Sequence, residues 1–216
     1  MGALQGSRTV RVDASRLAGW LDGFATRHGE PRIAVSTEAV VLHAPDGATA
    51  RIALPWGPLD GVDPLTELVE TVSRQRVVGA LIVRRRAHAV GVFEGEVLVA
   101  GRHGSHYVQG RTKAGGWSQQ RYARRRANQA ERSFDAAADD VATVLLPEID
   151  RLEALVTGGE RAAVAAVLSH PGLERLADPA LRRGFGTIAA PDPNARVLAG
   201  FGAVFRQVPI DLNELA

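Results

Sequence analysis

Apolar residues in the first part of the chain fall at Leu17, Leu21 and Phe24, intervals of four and three that mark one face of an α-helix. Asp13 stands where it can cap that helix, and Gly29 where it can end it. Two β-rich runs follow, 32–42 and 48–54, and Pro45-Asp46-Gly47 between them has the composition of a tight hairpin turn. Residues 55–64 are rich in proline and glycine and read as a linker, with a short helix over 65–74. Residues 1–8 are small and polar and predict a frayed end. Residues 1–75 therefore predict a small N-terminal α+β unit.

The texture changes at Val77. Three closely spaced strands are predicted over Val77–Arg84, 88–93 and 96–101, with Gly95 at a short turn. A long helix is predicted from 118 to 146, capped by Ser118, with Phe134, Ala138, Val141 and Leu145 sharing a face. After it come a strand over 152–157 ending in Gly158-Gly159, a helix over Arg161–Leu168 and further helical turns over 171–183. Ile188 and residues 196–208 predict terminal strands around the Pro191-Asp192-Pro193 turn. This order predicts an α/β fold of mixed α+β character, a mixed sheet flanked by helices over 76–216.

Composition removes several kinds of chemistry. The 216 residues contain no cysteine, which excludes disulfides, thiolate zinc sites and a cysteine nucleophile. No apolar run approaches the ~18 residues of a membrane span, and the N-terminus lacks a signal-peptide pattern. A soluble, cytoplasmic protein without a membrane partner is expected. The net charge of +2 conceals an uneven distribution. Residues 1–100 balance, and 133–216 are acidic. Residues 101–132 hold seven arginines and one lysine against Glu131 alone. Such a concentration of cations predicts a polyanionic partner.

Within that stretch, Gly115 and Gly116 lie between Lys113 and Arg121, just before the predicted helix start at Ser118. Exposed N–H groups at a helix start favour an anion or a developing oxyanion. Gln119, in the first turn, cannot act as a base at neutral pH, but its amide can position water and donate a hydrogen bond. Spacing alone favours the plainer reading, a charged surface loop. Arg102, Arg111, Lys113, Arg121, Arg124, Arg125 and Arg126 are candidate phosphate anchors, and Tyr107, Trp117 and Tyr122 interleave with them as candidate stacking rings. His88, His103 and His106 do not supply the three or four converging ligands that a divalent metal requires, so no metal or other cofactor is expected. Asp139 and Asp140 diverge by about 100° on a helix and predict a solvated face. Gly184-Phe185-Gly186-Thr187-Ile188-Ala189 has dinucleotide-fingerprint spacing, but Pro191 and Pro193 follow where that fold needs a helix.

The stretch from His103 to Arg126 (HGSHYVQGRTKAGGWSQQRYARRR) resembles the actinobacterial branch of the Vms-like release factor (VLRF) family of peptidyl-tRNA hydrolases. That family is similar to the central catalytic domain of eukaryotic and archaeal class-1 release factors. The resemblance rests on a Gly-x-x-Gln loop, here Gly116-Trp117-Ser118-Gln119. It extends over about Val77 to the C-terminus, with a release-factor catalytic-domain-like fold over 76–216. The loop departs from a strict Gly-Gly-Gln because Trp117 and Ser118 intervene. A second glutamine, Gln120, follows, and only the family spacing selects Gln119.

The resemblance implies hydrolysis of the ester between nascent peptide and tRNA on stalled ribosomes or large subunits, in rescue or quality control. It assigns Gln119, Gly116 and Gly115 to catalysis and the cation–aromatic set to RNA binding. Large-subunit ribosomal RNA and peptidyl-tRNA are the implied partners, and a monomer is expected. Two rival readings keep the same location: cleavage of the tRNA near its 3′ end, an activity associated with eukaryotic relatives, and ribosome binding without catalysis.

Overall fold

The computed structural model describes residues 8–84, 87–105, 133–182 and 184–216. It has a mixed α/β fold with two sheets and divides into two units, Met1–Gln75 with Ala203–Ala216, and Arg76–Gly202.

The first unit comprises β1 (Arg8–Asp13), α1 (Leu17–His28), β2 (Arg32–Val35), β3 (Ala39–His43), β4 (Thr49–Ala53) and α2 (Pro64–Ser73). The last strand, β9 (Gln207–Leu212), returns to this sheet, whose order is β1-β9-β4-β3-β2 with every pairing antiparallel. Leu17, Leu21 and Phe24 bury the predicted face of α1 in one core with Val40, Ile52 and Ile210. Asp13 accepts a hydrogen bond from the Ser15 N–H at 2.9 Å, capping the 3₁₀ turn that leads into α1. Asp46 accepts the Ala48 N–H at 2.9 Å and fixes the β3–β4 turn.

Three expectations are corrected here. Arg8, assigned to a frayed end, opens the strand β1 over 8–13, where no strand was predicted. Val10 and Val12 alternate with Arg11 and Asp13 at the strand period, but their partner β9 lies at the other end of the chain. The single run predicted over 32–42 breaks into β2 and β3 where the Ser36 hydroxyl engages the backbone of Ala39. The assignment of all of 76–216 to the second domain gives way for 203–216, because β9 pairs with β1 and β4.

The second unit opens with a meander of β5 (Val77–Arg84), β6 (Ala87–Glu94) and β7 (Val97–Ser105). A helix, α3, covers described residues 133–145 and coincides with part of the predicted long helix. β8 (Ala154–Gly159) then joins β5 in parallel, giving the order β7-β6-β5-β8. β5 is buried along nearly its whole length, as a central strand covered on both faces must be. On one face Leu81, Val83, Val90 and Val92 pack with Val141 and Leu145 of α3 and with Val164 and Val167 of α4 (Arg161–Leu168).

α5 (Ala195–Phe205) occupies most of the segment predicted as terminal strand, a further correction. Leu198, Phe201 and Phe205 recur at three and four and are all buried. Asn194 accepts the Val197 N–H at 3.0 Å and caps the start. The two glycines in this segment obscure a helical period that the aromatic residues carry. Gln207 and Val208 remain extended as the start of β9, and Ile188 forms a single parallel bridge to Gly158. Among the described residues no helix is long and apolar enough to cross a membrane.

Candidate functional site

Gly115, Gly116, Gln119, Arg111, Lys113, Trp117, Arg121, Tyr122, Arg124, Arg125 and Arg126 lie outside the described residues, as do His106, Tyr107 and Gln120. Of the residues assigned to catalysis or RNA binding, Arg102 alone is described. The structure does fix the two ends from which the basic segment springs. β7 ends at Ser105, and α3 is described from Ser133, which is buried. Residues 106–132 connect these two points.

A three-residue tie joins the two ends. β6 and β7 pair antiparallel with His88 opposite Gly104 and Val90 opposite Arg102, so all four side-chain positions face the same side. That side carries α3, because Val90 packs in the same core as Ala137 and Val141. Asp140 on α3 thus meets both strands. His88 Nε2 lies 2.9 Å from Asp140 Oδ2, and an Arg102 guanidinium N–H donates to Asp140 Oδ1 at 3.1 Å. The His88 side chain is buried at 3%, Asp140 is 21% exposed, and Arg102 at 56% reaches solvent.

Burial acts most strongly on the Asp140 carboxyl and works to raise its pKa. The bonds from His88 and Arg102 oppose burial and prevail, holding the carboxyl below its ordinary range. Asp140 is therefore an ionised anchor, a correction to the solvated face predicted for the Asp139–Asp140 pair; Asp139 is exposed as expected. His103 pairs with Ala89 and so points to the sheet face opposite His88. Among the described residues no three His, Asp or Glu side chains converge to hold a metal.

Gly104 makes the tie possible. A Cβ at this position would stand 2.5 Å from the His88 Cε1 atom, inside van der Waals contact with a buried ring. The signal in the sequence was His88 itself. An imidazole inside an otherwise apolar strand requires a buried partner, and Asp140 is the acid in phase with Ala137, Val141 and Val144 on the buried face of α3.

Asp140→Asn is expected to lower stability by about 1–3 kcal/mol, because it weakens the partner of a buried imidazole. A carboxylate with a depressed native pKa contributes stability that is complete above its unfolded value and lost as pH falls through the native one. Urea unfolding should therefore separate wild type from Asp140→Asn most at neutral pH, with the gap closing under strong acid.

Residues 76–211 match the family described as the Actinobacteria/chloroflexi VLRF1 release factor. Two solved structures are also similar. One, described only as an archaeal protein, is 15% identical with a TM-score of 0.39, covering 74% of this chain and 48% of its own. The other, the archaeal translation termination factor aRF1, is 12% identical with a TM-score of 0.39, covering 89% of this chain and 62% of its own. The chain thus spans less than two thirds of either. No curated protein matches it.

Proposed function

Because the chain belongs to the Actinobacteria/chloroflexi VLRF1 release factor family, we propose that it hydrolyses the ester joining a nascent peptide to tRNA on stalled ribosomes or separated large subunits. The observation that carries this reading is the family match over 76–211, which encloses the strongly cationic segment and its Gly116-Trp117-Ser118-Gln119 sequence.

The chemistry asked of the protein is limited. The acyl ester is already activated, so the site must admit one water, orient it and stabilise the tetrahedral oxyanion. Gln119 supplies the amide that aligns the water and donates a hydrogen bond to developing negative charge. Water adds to the acyl carbon, the ester C–O bond breaks, and the departing tRNA 3′-oxygen takes up a proton. The products are a peptide carboxylate and a tRNA with an intact 3′-hydroxyl. Gly115 and Gly116 let the backbone approach crowded RNA without a side chain in the way.

Arg111, Lys113, Arg121, Arg124, Arg125 and Arg126 dock phosphates, with Arg102 contributing from the end of β7 while one of its nitrogens holds Asp140. Trp117 and Tyr122 stack on bases. On this reading the protein acts in the cytoplasm, in rescue or quality control of translation.

The test is single-turnover release from labelled peptidyl-tRNA on isolated large subunits, with the tRNA end mapped. Free peptide and a complete CCA terminus are expected. A peptide still carrying tRNA nucleotides would assign endonucleolytic cleavage instead, and saturable binding with neither product would assign a ribosome-binding role.

A further inference from the structure

The first unit carries a second cationic surface, whose arginines all precede the family match. A groove of about 840 Å³ opens between α1 and β1, an edge strand of its sheet. Four arginines line it, Arg8, Arg11, Arg16 and Arg27, against one side-chain carboxylate, Asp13. Asp13 is occupied locally, accepting hydrogen bonds from the Ser15 N–H and hydroxyl. Arg8 donates to an oxygen of Ala216, the last residue, and Arg27 to the neutral Gly23 carbonyl. Among the described residues, Arg11, Arg16 and Arg27 have no side-chain carboxylate within ion-pair distance.

The arrangement along α1 is specific. Arg16, Trp20 and Arg27 follow at intervals of four and seven, so they form one stripe beside the groove. The two guanidinium-bearing positions are about 16 Å apart along the axis, with the indole between them. Trp20 is half-buried and stacks on the buried Phe24 ring at 5.6 Å with 24° between planes. Its ring is therefore already fixed and loses little freedom when a flat partner arrives.

We propose that this groove binds a single-stranded segment of RNA, with phosphates at Arg16 and Arg27 and a base against Trp20. Arginine forks match phosphate oxygens, and an aromatic plate between cations suits a nucleobase between backbone charges. The choice of RNA over an acidic peptide rests on the ribosomal role proposed above; the cationic character of the groove does not. The groove uses residues distinct from the basic segment at 106–132 and gives the protein a second grip on its target.

The experiment uses the full chain and a fluorescent oligouridylate, with anisotropy followed across a salt series. To remove the contribution of the other basic segment, the groove variants are made in a background carrying Arg124→Gln, Arg125→Gln and Arg126→Gln. Adding Arg16→Gln and Arg27→Gln is expected to weaken binding and to make the slope of log K against log salt shallower by about 1.4. Arg16→Lys with Arg27→Lys keeps both charges and should restore most of that slope. Trp20→Leu should cost about tenfold in affinity, and Trp20→Phe much less.

Groove variants that superimpose on the background overturn the proposal. So does an oligoglutamate peptide whose binding depends on Arg16 and Arg27 when RNA binding does not. If the background itself binds like wild type, the docking role of Arg124, Arg125 and Arg126 fails instead, so the two failures are distinguishable.

Discussion

Gln119→Ala is expected to slow single-turnover peptide release by about 10²–10³-fold while affinity for large subunits stays near that of wild type. The asymmetry follows from what the amide does. It meets negative charge that exists only once water has added to the acyl carbon, so its removal raises the barrier and leaves the bound state almost unchanged. On the proposed reading, binding depends on the cations and rings near it in sequence, which the substitution leaves unchanged. Gln120→Ala should retain most of the activity, because the family spacing assigns the role to the first glutamine. Rapid-quench kinetics at saturating protein separate the two. A large loss in Gln120→Ala with none in Gln119→Ala would move the catalytic position by one residue, and full activity in both would remove the amide from the mechanism.

The largest effect expected on folding is at Gly159, where β8 ends. This residue has φ of +89°, and a Cβ there would overlap the carbonyl oxygen of Val83 on the neighbouring strand. Val83 cannot give way, since that carbonyl accepts the Glu160 N–H at 2.8 Å and the strand is the buried centre of the sheet. Gly159→Ala therefore carries two costs, the left-handed backbone at about 1–2 kcal/mol and a backbone overlap that must spread β5 from β8. Together these should exceed about 3 kcal/mol and lower Tm by at least 6 °C or so. Gly172→Ala is the matched control. It has φ of +92° with open space where the side chain would go, so it should show the backbone cost alone. Thermal unfolding of both variants, followed by circular dichroism, isolates the overlap as their difference. Equal losses would mean that the strand spacing at Gly159 relaxes freely.

Local patterns revealed what local forces decide. The α1 face of Leu17, Leu21 and Phe24, the hairpin at Asp46 and the three strands from Val77 follow from periodicity and turn chemistry within a few residues. What escaped depends on partners far along the chain. β1 is only six residues long and pairs with β9 from the opposite end. β9 belongs to the first unit although it follows the whole of the second, and no turn signal records such a return.

The α5 helix escaped for another reason. Gly200 and Gly202 lower helix propensity, yet burial of Leu198, Phe201 and Phe205 outweighs that deficit. Motif and charge, rather than element prediction, marked the basic segment. The same reading treated Asp140 as solvent-facing because adjacent aspartates diverge on a helix; divergence places one of them inward, where His88 and Arg102 meet it.

The most direct measurement follows oxygen atoms. Release on large subunits is run in water enriched in heavy oxygen, and both products are weighed by mass spectrometry. Attack by water on the acyl carbon predicts one heavy oxygen in the terminal carboxylate of the freed peptide and none in the tRNA. A heavy oxygen in the tRNA, or a peptide that leaves still joined to nucleotides, would contradict the account.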